Sequence, residues 1–340
     1  MTSMRIGRLT PRQVDVVLEV LILGAVVSGL TSWAIGTSWA KAATVIHAVC
    51  GLTILVLAGA KLRGSVRVGM RRERASRWLS VAFGFLVLAT IALGIAHATG
   101  LWFGVGYWSA LWTHFLAAFV LLPLFLWHVV SRPVRPKLTD LDRRAMLRAG
   151  SALAVGAVVY GAQEVVVRLT GLAGGSRRAT GSHEVGSFAP GRMPTVSWIN
   201  DEAPASTHAA TSQLEILGKR VDVAGLARLT TPVIATLDCT GGWWSEQSWD
   251  AVSLRSLIGN DSARSINVAS ITGYSRLYPF SDIDELYLAV GYGGQPLRPG
   301  HGAPVRLVAP GRRGPWWIKW VVSVELDDRP WWLQTPFPLE

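Results

Sequence analysis

Cysteine and acidic side chains are scarce in this sequence, which has two Cys in 340 residues and 22 Asp and Glu against 33 Lys and Arg. The two cysteines, Cys50 and Cys239, lie in segments of opposite character, so a disulfide framework is excluded and each thiol needs its own explanation. Charged residues make up only 16% of the chain, hydrophobic residues make up 50%, and the mean hydropathy is +0.33. This composition excludes one ordinary soluble globule.

The positive charge is concentrated in the apolar half of the chain. Residues 1–174 contain 18 Lys and Arg against 6 Asp and Glu, whereas residues 175–340 contain 15 against 16. A nucleic-acid-binding domain would carry its basic residues on a soluble surface. The distribution therefore argues against nucleic acid as a partner.

Apolar stretches of about 20 residues, the length needed to cross a bilayer as a helix, occupy 17–36, 42–60, 78–98 and 111–130. A fifth and shorter stretch, 152–167, carries Glu164 but follows a charged segment. We count it as a span, with a buried core helix as the alternative. The sequence thus predicts an all-α transmembrane bundle of five helices over residues 1–170.

Basic residues in the loops predict the orientation, because Lys and Arg are retained on the cytoplasmic side. The loops at 37–41 and 99–110 carry one Lys between them, and the other connections are basic. A cytoplasmic N-terminus and five helices place the chain after about residue 170 on the exoplasmic side of the cell membrane. The basic connections contain Arg5, Arg8, Arg12, Lys61, Arg63, Arg67, Arg71, Arg72, Arg74, Arg77, Arg132, Arg135, Lys137, Arg143, Arg144 and Arg148.

Arg143 and Arg144 precede the Ala- and Gly-rich fifth stretch, in the order DRRAMLRAGSALAVG. This arrangement resembles a twin-arginine export signal inside the chain. The alternative is that both are ordinary residues of a basic cytoplasmic loop.

Four of the seven histidines lie in the apolar half, where ionisable residues are costly and mark function: His47, His97, His114 and His128. His114 and His128 share one face of the fourth helix about 21 Å apart, and His47 lies at the depth of His114. Two imidazoles from facing helices form the ligand set of a b-type haem. Hydrogen-bonded structural histidines are the alternative, and we prefer it for His97 and His128.

The histidine pattern resembles the four-helix membrane cytochrome b subunits of respiratory oxidoreductases, whose ligands lie on the second and fourth helices. The resemblance implies an outer haem held by His47 and His114, and a quinone or quinol as the membrane redox partner. An inner haem in such subunits also uses a first-helix His. Here the first helix offers Glu19 near that depth, so a second haem is left open.

Residues 171–194 are rich in Gly, Ser, Arg and Pro, which is typical of a linker. Beyond them, short β-rich runs alternate with turns and with one helix-like segment, 249–259. The pattern predicts an α+β domain over 195–340, long enough to bury its own core. The runs are 213–218, 233–239, 265–270, 286–292, 304–310 and 317–326.

Cys239 ends the run VIATLDC and directly precedes TGGWW, so a strand presents a lone thiol to a Gly-rich turn. A free thiol is a liability in an oxidising compartment. Cys239 is therefore interpreted either as a soft ligand to a metal cofactor or as a catalytic nucleophile with His as its base. A buried and inert cysteine is the third interpretation.

Two segments carry a second resemblance. LAVGYGGQPLRPGHGAPVRLVAPGRRGPWWIKWVVSVEL, at 288–326, resembles the molybdopterin-binding domain of the sulfite oxidase family, whose members share PL…HG.PVRLV.PG…G…KW. TLDCTGGWWSEQSWDAVSLRSLIG matches the cysteine loop of the same family. The resemblance covers about 210–326 and points to the bacterial periplasmic type.

This resemblance implies roles for six residues. Cys239 corresponds to the single protein ligand of molybdenum. His301, Arg306 and Lys319 lie at positions that bind the anionic molybdopterin, and Tyr274 and Arg276, in ITGYSR, are placed toward the reactive face of the metal.

Together the two resemblances imply a membrane-anchored molybdenum oxidoreductase that transfers an oxygen atom on a small exoplasmic substrate. Electrons would be exchanged with the quinone pool through the haem. Reduction of an S-oxide or N-oxide is preferred, because no dense cluster of arginines flanks Cys239 in the sequence. The alternatives are sulfite oxidation in the opposite direction and a non-enzymatic, membrane-anchored binding module.

Overall fold

A computed structural model describes residues 9–36, 39–71, 77–105, 108–134, 137, 140, 142–196 and 214–335. The chain splits into two compact units, one of Met1–Trp33 and Ser38–Gly181 and the other of Ala34–Thr37 and Ser182–Glu340. Residues 197–213, at the start of the predicted C-terminal domain, lie outside the described residues. The same holds for Arg5, Arg8, Arg72, Arg74 and Arg135 of the predicted basic connections.

The described residues of the first unit form five long helices: α1 (Pro11–Ala34), α2 (Trp39–Arg71), α3 (Arg77–Thr99), α4 (Ala110–Ser131) and α5 (Arg143–Leu169). All five are long and apolar enough to cross a membrane, which confirms the predicted number of membrane-length helices within the described residues. A short hairpin of β1 (Gly104–Val105) and β2 (Trp108–Ser109) joins α3 to α4.

Helix α5 begins well before the predicted stretch 152–167. The Asp142 side chain caps it by accepting a hydrogen bond from the Ala145 N–H at 2.6 Å. The helix packs on α2 through a close approach, because a Cβ at Gly156 would lie 3.0 Å from the Val49 carbonyl oxygen. Hydrophobicity therefore predicted the span, whereas the capping residue sets the start of the helix.

The described residues of the second unit form the strands β3 (His183–Glu184), β4 (Glu215–Ile216), β5 (Lys219–Arg220), β6 (Thr231–Cys239), β7 (Trp243–Ser253), β8 (Ser265–Ser270), β9 (Ser275–Pro279), β10 (Tyr287–Tyr292), β11 (Gln295–Pro296), β12 (Arg306–Val308) and β13 (Val321–Asp327). These strands form two sheets. One has the order β11-β10-β7-β3, with β12 paired to β10 and β6 paired to β7, and the other has the order β5-β4-β13-β8-β9. Two short α-helices, α6 (Val223–Ala227) and α7 (Leu254–Ile258), accompany them in this part of the structure.

Most of the predicted β-rich runs contain one of these strands, but the segment 249–259 is not one helix. Its first part belongs to β7, in which buried and half-buried residues alternate along Trp243–Ser253. Only Leu254–Ile258 is helical. In addition, residues 183 and 184 of the predicted linker form β3, which pairs in parallel with β7. An α+β domain after a helical membrane unit is confirmed.

Candidate functional site

Cys239 is the last residue of β6, and the chain turns through Gly241 and Gly242 into β7, where Trp243 pairs with Cys239. The side chain is buried, and its Sγ accepts a hydrogen bond from the Gly241 N–H at 3.3 Å. Burial raises the pKa of the Cys239 thiol above its ordinary value. The Gly241 N–H and the positive charges of Arg313 and Lys319 act in the opposite direction. Burial outweighs these effects, so a thiolate at this position needs a metal or another cation beside it.

Arg306, on β12, is 2% exposed. Its Nη1 donates to the His301 carbonyl at 3.0 Å, and its guanidinium lies 5.0 Å from the ring centroid of Trp249 and 5.6 Å from that of Trp317. Among the described residues, no carboxylate forms an ion pair with it. Burial lowers the pKa of Arg306 to about 10, against the raising effect of Tyr292 and Cys239. A buried cation without a carboxylate is costly, so this position suits an anionic ligand.

His301 lies beside Arg306 at the end of the short helix Pro299–His301 and is also buried. Its Nδ1 is 2.8 Å from the Tyr292 hydroxyl oxygen. Burial, followed by the charges of Arg306, Lys319 and Arg298, lowers the pKa of His301 to about 3, against a main-chain hydrogen bond that raises it. The imidazole is therefore neutral at physiological pH and can take part in hydrogen bonds without adding charge.

Gly302 allows the main chain of Lys319 to pack close to Arg306. The glycine has φ of +102°, and a Cβ there would lie 3.0 Å from the Lys319 Cα and 3.1 Å from the Arg306 Cβ. The Lys319 Nζ donates to the Val196 carbonyl at 2.7 Å. The structure therefore places three predicted residues, His301, Arg306 and Lys319, in one cluster, and the charge of Lys319 acts on Cys239.

Tyr274 and Arg276 lie together at β9. The Arg276 Nε donates to the Tyr274 hydroxyl at 2.8 Å, and that hydroxyl donates to the Pro315 carbonyl at 2.7 Å. Arg276 is buried, its guanidinium lies 5.3 Å from the Trp316 ring centroid, and its Nη1 donates to the Thr335 carbonyl. Its Nη2 has no hydrogen-bond partner among the described residues.

Sequence reasoning missed the buried ion pair behind Cys239. Arg313 Nη1 and Asp238 Oδ1 are 3.1 Å apart, with side chains 1% and 6% exposed. Arg313 Nη2 also donates to the Cys239 carbonyl at 3.2 Å. Only the adjacency of Asp238 to the cysteine pointed to this pair, because Arg313 is distant in sequence and is brought there by the fold.

In the membrane unit, His47 of α2 faces His114 of α4, with ring centroids 5.8 Å apart and planes at 89°. Each ring directs Nδ1 at a main-chain carbonyl of another helix, His47 at Ala25 over 2.7 Å and His114 at Thr90 over 2.8 Å. The donated Nδ1–H leaves Nε2 with the lone pair that binds a metal. The structure thus pairs the two predicted histidines.

Two glycines leave room for these rings. A Cβ at Gly29 would lie 2.9 Å from the His47 Cε1, and a Cβ at Gly94 would lie 3.0 Å from the His114 Cε1. His128 is differently placed, because its ring stacks on Phe83 with centroids 5.0 Å apart. His97 is buried at the end of α3. Among the described residues, no group of three or more His, Cys, Asp and Glu side chains could hold a metal ion.

Residues 209–333 match the family described as oxidoreductase molybdopterin binding domain. The matched residues lie in the C-terminal unit, and the match confirms the molybdopterin-binding oxidoreductase class predicted from the cysteine loop and the PVRLV segment. The helical unit lies outside the matched residues.

Among solved structures, the chain is similar to the sulfane dehydrogenase SoxCD from Paracoccus pantotrophus, with 22% sequence identity and a TM-score of 0.33. The match covers 40% of this chain and 45% of that chain, so the similarity spans less than half of the dehydrogenase chain. No curated protein matches significantly in sequence.

Proposed function

We propose that this chain is a membrane-anchored molybdenum oxidoreductase that acts on a small exoplasmic substrate and exchanges electrons with the quinone pool through a b-type haem. The observation that carries the proposal is Arg306, a fully buried cation with no carboxylate partner among the described residues. It lies close enough to Cys239 for the two charges to interact. An anionic cofactor whose metal binds the sulfur satisfies both groups.

The residues present fit the molybdenum cofactor. Cys239 provides a soft sulfur ligand, and burial keeps that sulfur away from water. Arg306 and Lys319 offer positive charge to the pterin phosphate and dithiolene, and His301 adds a neutral hydrogen-bonding group. When bound, the cofactor supplies two-electron oxygen-atom transfer.

Arg276 is the proposed substrate-binding donor, and Tyr274, whose hydroxyl accepts from the Arg276 Nε and donates to the Pro315 carbonyl, is proposed to hold it in place. The Arg276 Nη2 is a buried donor without a partner among the described residues, and an S–O or N–O oxygen is an acceptor that would satisfy it. We therefore prefer reduction of an S-oxide or N-oxide. Sulfite oxidation is the second candidate, and the positive charge of the buried Arg276 favours it because sulfite is an anion.

His47 and His114 are the proposed haem ligands. Two imidazoles from facing helices are the ligand set that would hold a b-type haem. The pairing of His47 on α2 with His114 on α4, with ring centroids 5.8 Å apart, supports this assignment. The carbonyl acceptors of Ala25 and Thr90 set the ring orientation, as partners of metal-bound histidines commonly do. When bound, the haem supplies one-electron exchange with a quinol or quinone.

The membrane arrangement completes the proposal. The basic connections favour a cytoplasmic N-terminus and an exoplasmic molybdopterin-binding domain, because Lys and Arg are retained on the cytoplasmic side. Arg143 and Arg144 form the first turn of α5 behind the Asp142 cap. Export of an already loaded domain through a twin-arginine signal at this position is consistent with both features.

The test is a metal and haem inventory of the full chain, purified from cells that synthesise molybdopterin, combined with Cys239→Ser. We expect one molybdenum per chain in the unmodified protein and a loss of molybdenum in Cys239→Ser, together with a reduced-minus-oxidised b-type α band. Cys50→Ser is the matched control and should keep its molybdenum. Folded protein without molybdenum would refute the metal site, and absence of the α band would refute the haem.

A screen of sulfoxides, N-oxides and sulfite with dye donors and acceptors then assigns the direction. Turnover of an S-oxide or N-oxide with a reduced dye supports the preferred candidate. Turnover of sulfite alone, with an oxidised dye, supports the second candidate and contradicts the preferred one.

A further inference from the structure

The strand end that carries Cys239 is held from behind by a buried set of three side chains: Ser182, Asp238 and Arg313. The Ser182 hydroxyl donates to the Asp238 carboxylate at 2.7 Å, and Arg313 forms the ion pair with the same carboxylate at 3.1 Å. The exposed fractions of Ser182, Asp238 and Arg313 are 0%, 4% and 1%. At this burial, both the ion pair and the hydrogen bond are protected from water.

All three side chains converge on the main chain of Cys239. Arg313 Nη2 donates to the Cys239 carbonyl oxygen at 3.2 Å, and Asp238 is the preceding residue. The main chains of Asp238 and Arg313 also form an isolated parallel bridge. A Cβ at Gly314 would lie 3.3 Å from the Cys239 Cα, so the segment carrying Arg313 runs directly against the cysteine.

The third member comes from the segment that follows the last membrane helix. Ser182 is the first residue of the second unit in this part of the chain. The next residue, His183, donates its main-chain N–H to the Gly242 carbonyl at 3.0 Å and pairs with Trp243 across β3 and β7. This short segment therefore contacts the cysteine turn on both sides of Gly241.

The charge of Arg313 is balanced by the Asp238 carboxylate of the same set, whereas Arg306 has no carboxylate partner among the described residues. In addition, Arg313 Nη2 is bound to a main-chain carbonyl. Such an arginine is unsuited to holding an anionic ligand, but it is well suited to fixing a carbonyl group. Because the carbonyl and the Cα–Cβ bond of one residue share the same Cα, holding the carbonyl of Cys239 limits where its sulfur can point.

We infer that Ser182, Asp238 and Arg313 act as positioning residues that fix the Cys239 main chain and so aim its sulfur at the metal. The inference rests on the proposed role of Cys239 as the metal ligand. It assigns the first residues after the membrane unit to the support of the metal site.

The neighbouring pair Arg312 and Asp282 offers a matched control. These side chains are also joined, with Nη2 and Oδ2 2.5 Å apart, but they are 24% and 28% exposed. Arg312→Lys thus changes the same segment, and Asp282→Asn removes the partner of Arg312, without touching the buried set. Ser182→Ala, which removes only a hydroxyl, and Arg313→Lys, which keeps the charge, are the test variants.

The first measurement is hydrogen–deuterium exchange of the amides of residues 239–243 in the full chain made without molybdopterin. Loss of one buried hydrogen bond corresponds to about a tenfold change in an opening equilibrium. We expect about tenfold faster exchange in Ser182→Ala and in Arg313→Lys, and unchanged exchange in both controls. Unchanged exchange in the two test variants would overturn the inference.

The second measurement is the Mo(V) electron paramagnetic resonance spectrum of the loaded full chain. We expect Ser182→Ala and Arg313→Lys to retain molybdenum but to show shifted g values, because the sulfur approaches the metal from a changed direction. Wild-type spectra in both variants would overturn the inference. A wild-type spectrum in Cys239→Ser would instead refute the proposed function, because it would show that the cysteine is not a metal ligand. That outcome is distinct from wild-type spectra in Ser182→Ala and Arg313→Lys, which would refute only the positioning role.

Should Arg313→Lys fail to fold, the double variant Asp238→Asn with Arg313→Gln replaces the ion pair by a neutral hydrogen-bonded pair. It should load molybdenum and give the same direction of spectral shift as Ser182→Ala. A wild-type spectrum in this double variant counts against the positioning role.

Discussion

Replacing Arg306 by methionine tests whether this buried cation binds a ligand or stabilises the fold. In the wild type, burial lowers the pKa of Arg306 from 12.5 to about 10, so holding the charge inside costs about 3 kcal/mol at neutral pH. The hydrogen bonds to the carbonyls of His301 and Trp317 return about 1 kcal/mol each. The contact with the Trp249 ring returns roughly another 1 kcal/mol.

These terms nearly cancel, so Arg306→Met should change the free energy of unfolding of the cofactor-free protein by less than about 1 kcal/mol. The same substitution at Arg313 leaves Asp238 buried without its cation. It should therefore cost about 3–5 kcal/mol. Arg313 has a carboxylate partner and Arg306 has none among the described residues, so the two substitutions should differ clearly in cost in the absence of cofactor.

The assay is pulse proteolysis in urea of the full chain in detergent, made by cells that do not synthesise molybdopterin, with the C-terminal domain followed on gels. Molybdenum is measured in parallel on protein from cells that do synthesise it, and we expect Arg306→Met to lose it. Equal destabilisation by the two substitutions would refute the reasoning. Wild-type molybdenum content in Arg306→Met would refute it as well.

Three further predictions concern pH, the membrane histidines and export. His301 has a folded pKa of about 3 against 6.5 in the unfolded chain, so its contribution is full above pH 6.5 and falls by about 2 kcal/mol at pH 5. In urea titrations the free energy of unfolding of the cofactor-free protein should therefore be lower at pH 5 than above pH 6.5. His301→Gln should reduce this difference between the two pH conditions. His114→Ala should abolish the b-type α band, measured by difference spectroscopy, and a retained band would contradict the ligand assignment. Replacing Arg143 and Arg144 together by Lys should leave the C-terminal domain inside the cell in protease-protection assays, whereas unimpaired export would exclude a twin-arginine signal.

The sequence predicted those features that follow from local composition. Five membrane-length helices followed from apolar length, and the molybdopterin-binding class followed from the PVRLV segment and the cysteine turn. The segment 249–259 was interpreted as a helix, although its first part belongs to β7. Buried and half-buried residues alternate in this part as they do in residues 243–248, where the polar side chains Ser245 and Gln247 are fully buried. Buried polar residues of this kind hide the apolar alternation from sequence reasoning.

The cluster at the cofactor site was predictable only in part. His301, Arg306 and Lys319 lie within one motif, so their proximity follows from a short stretch of chain. The buried pair of Asp238 and Arg313 joins two distant segments, and nothing in the spacing of the residues indicates that they meet. The same is true of Ser182, because a Gly- and Ser-rich stretch is typical of a linker and gives no sign that two of its residues form a strand.

Strand β3 has a practical consequence for isolating the catalytic half of this protein. A shortened chain that begins at residue 195, where the composition suggests that the domain starts, would lack the strand beside Trp243 and Trp244 and would leave one edge of β7 open at the cysteine turn. It would also lack the serine hydroxyl that satisfies Asp238. A shortened chain should therefore begin upstream of residue 182, so that it keeps Ser182 and strand β3 as part of the sheet.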